Sequence, residues 1–338
     1  MFKLGELQAH AYAHLYILVA AASVISLLFV FVIQIYNYFT KGYCTSTKRM
    51  DGKTVIITGA NSGIGAETAK DLARRGARVI MACRNLDSAQ KVRAEIVRST
   101  NNQNVTIKRL DLSSLESVRD FADDINREES SLDVLIHNAG VANTFGRKTT
   151  KDGLELTMAT NQYGPFLLTH LLINLLKKSG NSRIVVVASS LYRMATLNLS
   201  SANPVNALPA YLYYVSKYAN IVFTLELARR LRGTNVTANC LHPGMIDSGI
   251  WRNVPFPLNL PTKLICKLFF KASITPTEGA QTSVYLAVAD EVKNKSGKYF
   301  ADCREAVLTH AIQDEAFGKK YWEICEKLVQ LKETDPHI

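Results

Sequence analysis

Short apolar runs of strand length alternate with helical patterns along most of the chain. Candidate strands begin near Thr54, Ala77, Val105, Asp133, Arg183, Asn235 and Lys298. Between most of them, apolar residues recur every three to four positions, which is the spacing of an amphipathic helix. Strands that alternate with helices in this way favour right-handed strand–helix–strand units. The pattern therefore predicts an α/β fold with a doubly wound parallel sheet.

The N-terminus follows a different pattern. Residues 15–35 form a 21-residue run without charge, interrupted only by the polar side chains Tyr16, Ser23, Ser26 and Gln34. As a helix rising about 1.5 Å per residue, this run would cover about 30 Å, the thickness of a bilayer core. The aromatic residues that flank it resemble an interfacial belt. They are Tyr12, Tyr16, Tyr36, Tyr38 and Phe39. We expect residues 1–45 to be a membrane anchor with one transmembrane helix over residues 15–35.

Two other interpretations of this segment are weaker. A cleaved signal peptide is disfavoured because the apolar run is long and bulky residues follow it in place of a small-residue cleavage site. A buried core helix is disfavoured because the α/β pattern is complete without it. Lys41, Lys48 and Arg49 follow the span, whereas Lys3 precedes it alongside Glu6. By the positive-inside rule, we expect the rest of the chain to face the cytosol.

A glycine-rich turn joins the first predicted strand to the helical pattern after it. Its sequence is Thr58-Gly59-Ala60-Asn61-Ser62-Gly63-Ile64-Gly65, with the glycines spaced G-x-x-x-G-x-G. Such a turn lets the backbone approach a pyrophosphate, and the helix N-terminus offers free N–H donors. The spacing differs from the common G-x-G-x-x-G fingerprint. A purely structural turn is the alternative.

A second motif, Tyr213-Tyr214-Val215-Ser216-Lys217, opens a helical run that continues to Arg230. Tyr213 and Lys217 are four positions apart, so their side chains lie on one helix face. An ammonium beside a phenol favours the phenolate, and we therefore expect the pKa of Tyr213 to be lowered from about 10. That would suit a proton donor near neutral pH. Taken alone, the motif also fits an ordinary amphipathic helix with a surface lysine.

Together, the two motifs resemble the short-chain dehydrogenase/reductase family. Four further motifs extend the resemblance over roughly residues 50–330. They are Asn138-Ala139-Gly140, Asn161-Gln162-Tyr163-Gly164, Ser189-Ser190 and Pro243-Gly244. Residues 82–84, 161–172 and 214–231 read like the membrane-anchored retinol dehydrogenase branch. The resemblance implies a Rossmann-type catalytic domain over 50–330 and a tail over 331–338. His137 departs from the family pattern, and we interpret it as a packed residue at a strand end.

The resemblance also implies a role for each motif residue. Tyr213 exchanges a proton with the substrate oxygen, and Lys217 holds the nicotinamide ribose. Ser190 binds the substrate oxygen, and Asn161 supports a water relay from Lys217. No metal is expected, because Ser190 and Tyr213 supply the electrophilic help. The implied cofactor-binding residues are Thr58, Gly59, Asn61, Ser62, Gly63, Ile64, Gly65, Arg84, Asp111, Leu112, Asn138, Ala139, Gly140, Tyr213, Lys217, Pro243 and Gly244.

Arg84 points to NADP(H) as the cofactor. It stands at the end of the second predicted strand, where an acidic residue would bind the ribose 2′-hydroxyl of NAD. An arginine there pairs with the 2′-phosphate of NADP; a solvated strand-end arginine is the alternative. Asp111 matches the residue that contacts the adenine in this family, or else it is the N-cap of the helix that begins at Leu115.

The net charge and the cysteine pattern indicate the kind of partner and the redox compartment. Forty Lys and Arg against 29 Asp and Glu give a net charge of +11. No nucleic-acid recognition motif accompanies this charge, and an enzyme that faces anionic lipid is the simpler account. The six cysteines, at positions 44, 83, 240, 266, 303 and 325, form no C-x-x-C pair. They fit a reducing compartment. We expect a single-pass protein of the endoplasmic reticulum membrane.

Two segments of the chain are candidates for binding the substrate. Residues 255–271 carry Lys263, Lys267 and Lys271 on one helix face and apolar residues on another, an interfacial pattern. A surface helix that packs on the core is the alternative. Residues 191–212 are expected to form more of the pocket wall.

We favour a lipophilic alcohol and its aldehyde or ketone as the substrate pair, with retinol/retinal first. Polyprenoid, steroid and lipid-peroxidation aldehydes are alternatives within the same chemistry. A non-catalytic membrane scaffold is the alternative of another class, and the intact set of motif residues argues against it. Membrane lipid is an expected partner, and a homodimer stays open.

Overall fold

The structure, a computed structural model, describes residues 2–142, 146–244 and 274–338. These residues divide into two compact units: the N-terminal helix belongs to one, and the α/β domain from Gly42 onward forms the other. The segment 255–271, for which the sequence predicts an interfacial amphipathic helix, lies outside the described residues.

Helix α1 spans Phe2–Thr40 and is therefore longer than the apolar run that predicts it. Large apolar side chains such as Leu27, Phe29 and Phe31 are more than half exposed along it. Across the described residues, no helix combines the length and the apolarity that a membrane crossing requires.

The described part of the α/β domain contains one sheet of eight strands in the order β3-β2-β1-β4-β5-β6-β7-β8. The strands are β1 Thr54–Thr58, β2 Arg78–Cys83, β3 Val105–Arg109, β4 Val134–His137, β5 Ser182–Val187, β6 Val236–His242, β7 Tyr299–Ala301 and β8 Arg304–Glu305. All neighbours pair in parallel except β7 and β8. This architecture confirms the predicted doubly wound, Rossmann-type fold. Each of the seven predicted strand starts lies within one residue of the observed one.

Helices cover both faces of the sheet. They are α2 Gly63–Arg74, α3 Leu86–Thr100, α4 Leu115–Glu128, α5 Leu156–Met158, α6 Gly164–Lys178, α7 Pro209–Arg230, α8 Pro276–Gly279, α9 Gln281–Val288 and α10 Glu315–Leu328. A π-helical turn, Ala159–Tyr163, joins α5 to α6, and 3₁₀ turns span Ser190–Met194, Leu199–Ser201, Asp290–Val292 and His310–Gln313. Strand residues alternate between two cores: Ile56 packs with α4, α6, α7 and α10, whereas Val55 and Ile57 pack with α2, α3 and α9.

The order of the strands places a crevice at the ends of β1 and β4. From β1 the chain winds outward through β2 and β3, then crosses back to β4 on the other side of β1. At such a topological switch point the loops after neighbouring strands diverge, and ligands bind beyond the carboxyl ends of the strands. The glycine-rich turn follows β1 and Asn138-Ala139-Gly140 follows β4, so both lie at this crevice.

The C-terminal residues are fixed against the domain. Trp322 of α10 packs its ring on Phe166 and Phe223, with ring centroids 4.7 and 5.9 Å away. Beyond α10, Arg119 donates to the carboxylate of Asp335 at 2.9 Å. Aromatic packing and an ion pair therefore hold the C-terminal segment over α4, α6 and α7.

Candidate active site

The glycine turn is shaped by a close approach of backbones. Gly59 and Gly63 have φ of +67° and +55°, in the left-handed region that side chains disfavour. A Cβ on Gly65 would lie 2.4 Å from Nδ2 of Asn138 and 2.5 Å from the carbonyl oxygen of Gly59. Ser62 is the N-cap of α2, but its side chain makes no capping hydrogen bond. The turn thus leaves backbone donors at the start of α2 facing a crevice that admits no side chain at Gly65.

Thr58 and Asn138 fasten the two strand ends together. The hydroxyl oxygen of Thr58 accepts hydrogen bonds from the backbone N–H groups of Asn138 and Ala139, both at 3.0 Å. The Asn138 amide donates to the carbonyl oxygen of Thr58 at 2.9 Å. These bonds give the crevice a rigid floor.

The residues after β2 form the next wall of the crevice. Asn85 caps α3 by accepting from the N–H of Ser88 at 2.9 Å. Asn61 of the glycine turn donates to the Ser88 hydroxyl at 2.7 Å. Arg84 is exposed, and within the part of the chain that the structure describes it makes no hydrogen bond or ion pair. Its guanidinium is therefore available to a ligand at this edge.

Asp111 does not cap α4, so the capping alternative for this residue is wrong. Ser114 is the N-cap and accepts from the N–H of Ser117. The Asp111 carboxylate instead accepts from the backbone N–H and the hydroxyl of Ser113, at 3.0 and 2.6 Å. Leu112 is buried, and its carbonyl oxygen would lie 2.3 Å from a Cβ on Gly164. This contact explains why a glycine opens α6.

The π-helical turn before α6 aims Asn161 at the loop after β4. Its amide donates to the carbonyl oxygen of Val141 and to the hydroxyl of Ser216, both at 2.9 Å. Its side-chain oxygen accepts from the N–H of Val141 at 2.8 Å. Asn220 of α7 donates to the backbone carbonyl of Asn161 at 2.7 Å. The turn and α7 are thus joined into one buried network.

Lys217 lies at the centre of this network. Its Nζ donates to the carbonyl oxygen of Val187 at 2.7 Å and to Oδ1 of Asn220 at 3.4 Å. The same nitrogen lies 5.7 Å from the centroid of the Tyr213 ring. The structure therefore brings Tyr213, Lys217 and Asn161 together, as the sequence predicts.

The expected acidity of Tyr213 is not observed. Burial raises the pKa of Tyr213 to about 12, and a hydrogen bond with the Ser189 hydroxyl offsets part of this rise. Burial also lowers the pKa of Lys217 to about 8. The expectation is wrong because both groups lose hydration in the same buried site, and that loss disfavours either charge. The Lys217 ammonium is moreover directed at Val187 and Asn220.

The two serines after β5 occupy different environments. Ser189 is buried, accepts from the N–H of Leu191 at 3.2 Å, and is the serine whose hydroxyl bonds Tyr213. Ser190 is half-buried and begins the 3₁₀ turn Ser190–Met194. The sequence motif indicates Ser190, and nothing in it distinguishes the contact that Ser189 makes with Tyr213. The predicted site also omitted Ser216 and Asn220, although their spacing from Tyr213 placed them on the inner side of α7.

His137 is packed at the end of β4, as the sequence predicts. His137 Nε2 lies 2.8 Å from the Thr169 hydroxyl, which itself donates to the carbonyl oxygen of Pro165. The imidazole is therefore the donor of the first bond, and burial lowers the pKa of His137 to about 3. His137 is a neutral packed residue. Pro243 and Gly244 follow β6 at the carboxyl edge, and Gly244 has a φ of +87°.

Comparison with known proteins identifies the family. A model of the short chain dehydrogenase family matches residues 53–256. The chain belongs to this family and is an oxidoreductase.

Within the family it is similar to retinol dehydrogenases. It is 47% identical to retinol dehydrogenase 14 of Mus musculus over 294 residues, which cover 83% of this chain and 86% of that protein. It is 42% identical to retinol dehydrogenase 11 of Homo sapiens over 299 residues, which cover 87% of this chain and 92% of that protein. A short chain dehydrogenase from Escherichia coli CFT073, solved in complex with NADPH, superposes with a TM-score of 0.60 at 25% identity. The superposition covers 76% of this chain and 99% of that one.

The buried charge of Lys217 should cost stability. With a pKa of about 8 in the folded state and 10.5 when solvated, Lys217 binds fewer protons folded than unfolded between these values. Stability therefore rises with pH through this window. At pH 7 we expect Lys217→Met to raise the free energy of unfolding by up to about 3 kcal/mol, and the gain should vanish above about pH 10.5. Urea unfolding in detergent at several pH values measures it.

Lys178→Met is the matched control, because Lys178 is exposed at the end of α6. It should change the free energy of unfolding by less than about 0.5 kcal/mol at every pH. If Lys217→Met is instead less stable than the wild type at pH 7, the hydrogen bonds of Lys217 outweigh the cost of burying its charge.

Proposed function

We propose that this chain is a membrane-anchored, NADP(H)-dependent oxidoreductase that interconverts a lipophilic alcohol and its aldehyde or ketone, retinol/retinal first. The observation that carries the proposal is the buried cluster of Tyr213, Lys217 and Asn161 beside the serines that follow β5. The similarity to retinol dehydrogenases supports the substrate class.

The crevice at the switch point fits a dinucleotide. A pyrophosphate would lie over the glycine turn, against the backbone donors at the start of α2, where the Ser62 side chain makes no capping hydrogen bond. Arg84 would pair with a ribose 2′-phosphate, and Asp111 lies after β3 where the adenine is expected. When bound, the nicotinamide supplies or accepts the hydride. The NADPH complex of the E. coli relative supports the choice of cofactor.

Tyr213 is the proton donor in this proposal. With its pKa at about 12, the phenol stays protonated at neutral pH, which is the form that donates to a carbonyl oxygen. Lys217 is largely protonated at pH 7, and its charge opposes the cost of forming a phenolate. Ser190 orients the substrate oxygen, and Ser189 holds the hydroxyl of Tyr213.

Asn161 acts through other groups. Its side chain is fixed by Val141 and Ser216, and its carbonyl oxygen accepts from Asn220, which also accepts from Lys217. We propose that Asn161 is a positioning residue, which fixes Asn220 against Lys217 and supports a water relay from Lys217. The other residues that we assign to cofactor binding are Leu112, Ala139, Gly140, Pro243 and Gly244.

We further propose that α1 anchors the chain in the endoplasmic reticulum membrane. Its apolar run over 15–35 carries no charge, and large apolar side chains on it are exposed. Exposing such side chains to water costs free energy, and their transfer into a bilayer core is favourable. The catalytic domain then faces the cytosol, in keeping with Lys41, Lys48 and Arg49 after the span.

A screen of the purified protein tests the function. Retinoid, polyprenoid, steroid and lipid-peroxidation aldehyde pairs are assayed with NADPH and with NADH. Highest kcat/KM for retinal with NADPH is the expected result. Preference for another pair would keep the chemistry and replace the substrate, whereas no turnover with any pair would favour the scaffold interpretation.

Tyr213→Phe should lower turnover by about 10²- to 10⁴-fold, because general acid–base catalysis is lost while the ring keeps its packing. Cofactor binding should persist. Steady-state rates and cofactor titration measure the two effects. Tyr214→Phe is the control, since Tyr214 points about 100° away around α7 and should stay active. Near-normal turnover of Tyr213→Phe contradicts the assignment.

Arg84→Asp should reverse the preference from NADPH to NADH. Hydrogen bonds to charged groups are worth about 1.5–3 kcal/mol, or roughly 10- to 150-fold in affinity. The quantity to compare is the ratio of kcat/KM for the two cofactors. Arg98→Asp makes the same charge change at an exposed site near the far end of α3 and should leave the ratio unchanged. An unaltered ratio in Arg84→Asp would mean that the guanidinium is merely solvated.

The cytosolic orientation predicts that no sequon is glycosylated. The chain has N-x-[ST] sites at Asn104, Asn198, Asn235 and Asn294, of which Asn104 and Asn294 are exposed just before β3 and β7. A lumenal domain would carry glycans at such sites. After expression in microsome-containing cells, endoglycosidase treatment should leave the mobility unchanged, and protease should digest the domain in sealed microsomes. A mobility shift would place the domain in the lumen.

A further inference from the structure

Four large apolar side chains are unusually exposed beside the candidate active site. Met194, Leu208, Tyr211 and Val307 have 62, 74, 38 and 83% of their surface accessible. We call these four residues together with Arg193 the rim patch. Single exposed apolar residues are ordinary on protein surfaces, but a contiguous group marks an interaction site.

Hydrogen bonds show that the rim patch is contiguous. Arg193 donates to the carbonyl oxygen of Val307 at 3.1 Å, which brings the loop after β8 against the 3₁₀ turn that ends at Met194. On its other side, the N–H of Thr196 donates to the Tyr211 hydroxyl at 3.2 Å. Tyr211 in turn donates through its N–H to the carbonyl oxygen of Leu208 at 3.0 Å. The three segments that carry the four exposed apolar residues are therefore neighbours in the fold.

The rim patch borders the entrance to the active site. Met194 ends the turn that Ser190 begins, and Leu208 is the N-cap of α7, which carries Tyr213 just over one turn further on. A molecule that approaches Ser190 and Tyr213 between these elements passes the exposed side chains.

The charges around the patch select its partner. Residues 190–212 contain no Asp or Glu, and Arg193 is their single charged residue. Residues 306–313 contain no carboxylate; Glu305 before them is paired with Lys295 and Lys298, and Asp314 after them caps α10. A surface that combines exposed aliphatic and aromatic side chains with a cation, and whose flanking carboxylates are already bonded, matches an anionic bilayer. A second copy of the chain is a poorer match. In a two-fold interface the patch meets itself, which sets Arg193 near its own copy without a carboxylate to pair with.

We propose that the rim patch docks on an anionic lipid bilayer, so that the lipophilic substrate passes from the membrane into the active site. The inference rests on the proposed function for the identity of the substrate. It adds a second membrane contact that belongs to the catalytic domain itself and is independent of α1.

Tryptophan quenching tests the contact in the full-length protein. Leu208→Trp is reconstituted in phosphatidylcholine vesicles that contain phosphatidylserine, with and without brominated acyl chains. The signal of the wild type, which carries two tryptophans, is subtracted. The added tryptophan should be strongly quenched by the brominated lipid. Gln103→Trp, at an exposed site before β3, is the control and should be quenched no more than the wild type.

Adding negative charge to the rim patch tests the consequence for turnover. Leu208→Asp/Val307→Asp should raise the KM for vesicle-borne retinal about 10- to 30-fold, because each carboxylate at an anionic surface costs about 1 kcal/mol. Val307→Asp alone should leave the kcat and the KM for a small water-soluble aldehyde unchanged, because Val307 lies outside residues 191–212 of the expected pocket wall. Gln103→Asp/Asn294→Asp adds the same charge at exposed sites outside the patch and should leave both KM values unaltered.

The outcomes separate this inference from the proposed function. Normal turnover of retinal without quenching of Leu208→Trp overturns the docking surface and leaves the function intact. Quenching without turnover of retinal supports the docking surface and removes retinal as the substrate. Light scattering that shows dimers whose Leu208→Trp is shielded from lipid would assign the patch to a second copy and overturn the inference.

Discussion

The contact between the ends of β1 and β4 fixes the geometry on which the rest of the site depends. The Asn138 amide bonds the carbonyl oxygen of Thr58, and the Thr58 hydroxyl accepts two backbone N–H groups of the next loop. This leaves no room for a side chain at Gly65, where a Cβ would overlap Asn138 and Gly59. Because Gly65 has no Cβ, Asn138 and the carbonyl oxygen of Gly59 can occupy that space. One constraint, the close approach of two strand ends, thus fixes both the strand spacing and the shape of the proposed cofactor crevice.

The same strand end reaches the proton-handling residues. A Cβ on Gly140 would lie 3.6 Å from Nζ of Lys217 and 3.7 Å from the side-chain oxygen of Asn161, which is ordinary packing distance. Cradle and network are therefore neighbours, joined through the loop after β4. Burial in this network moves Tyr213 and Lys217 toward their neutral forms. A neutral phenol is suited to donate a proton, so reduction needs no prior change of charge. Oxidation needs the phenolate as the proton acceptor. Lys217 and the polar groups around Tyr213 would stabilise the negative charge of that phenolate.

The sheet could be predicted closely because it is dictated by local pattern. Buried apolar runs between turns defined seven strand starts to within one residue. Strand β8 was not predicted because it is exposed and only two residues long. Its hairpin depends on left-handed conformations at Asp302 and Cys303. In the site, helical spacing was enough to place Tyr213 beside Lys217. The direction of the Tyr213 pKa shift was missed, because it depends on how deeply α7 is buried, and that is a tertiary property. Neither could the sequence show which serine after β5 faces Tyr213.

Polar and apolar surfaces are segregated at the entrance, and this has an energetic consequence. Inside, the amides of Asn161 and Asn220 bond backbone or side-chain oxygens, so little of their polarity is left for a substrate chain. Outside, the rim patch is apolar. A substrate that leaves a bilayer for such a pocket exchanges one apolar surrounding for another, so its hydrocarbon gains little free energy from the hydrophobic effect. Discrimination between substrates must then come from the substrate oxygen. This oxygen would exchange its hydrogen-bond partners outside the protein for Ser190 and Tyr213. In the proposed reaction, the buried phenol of Tyr213 would thus both recognise the substrate and react with it.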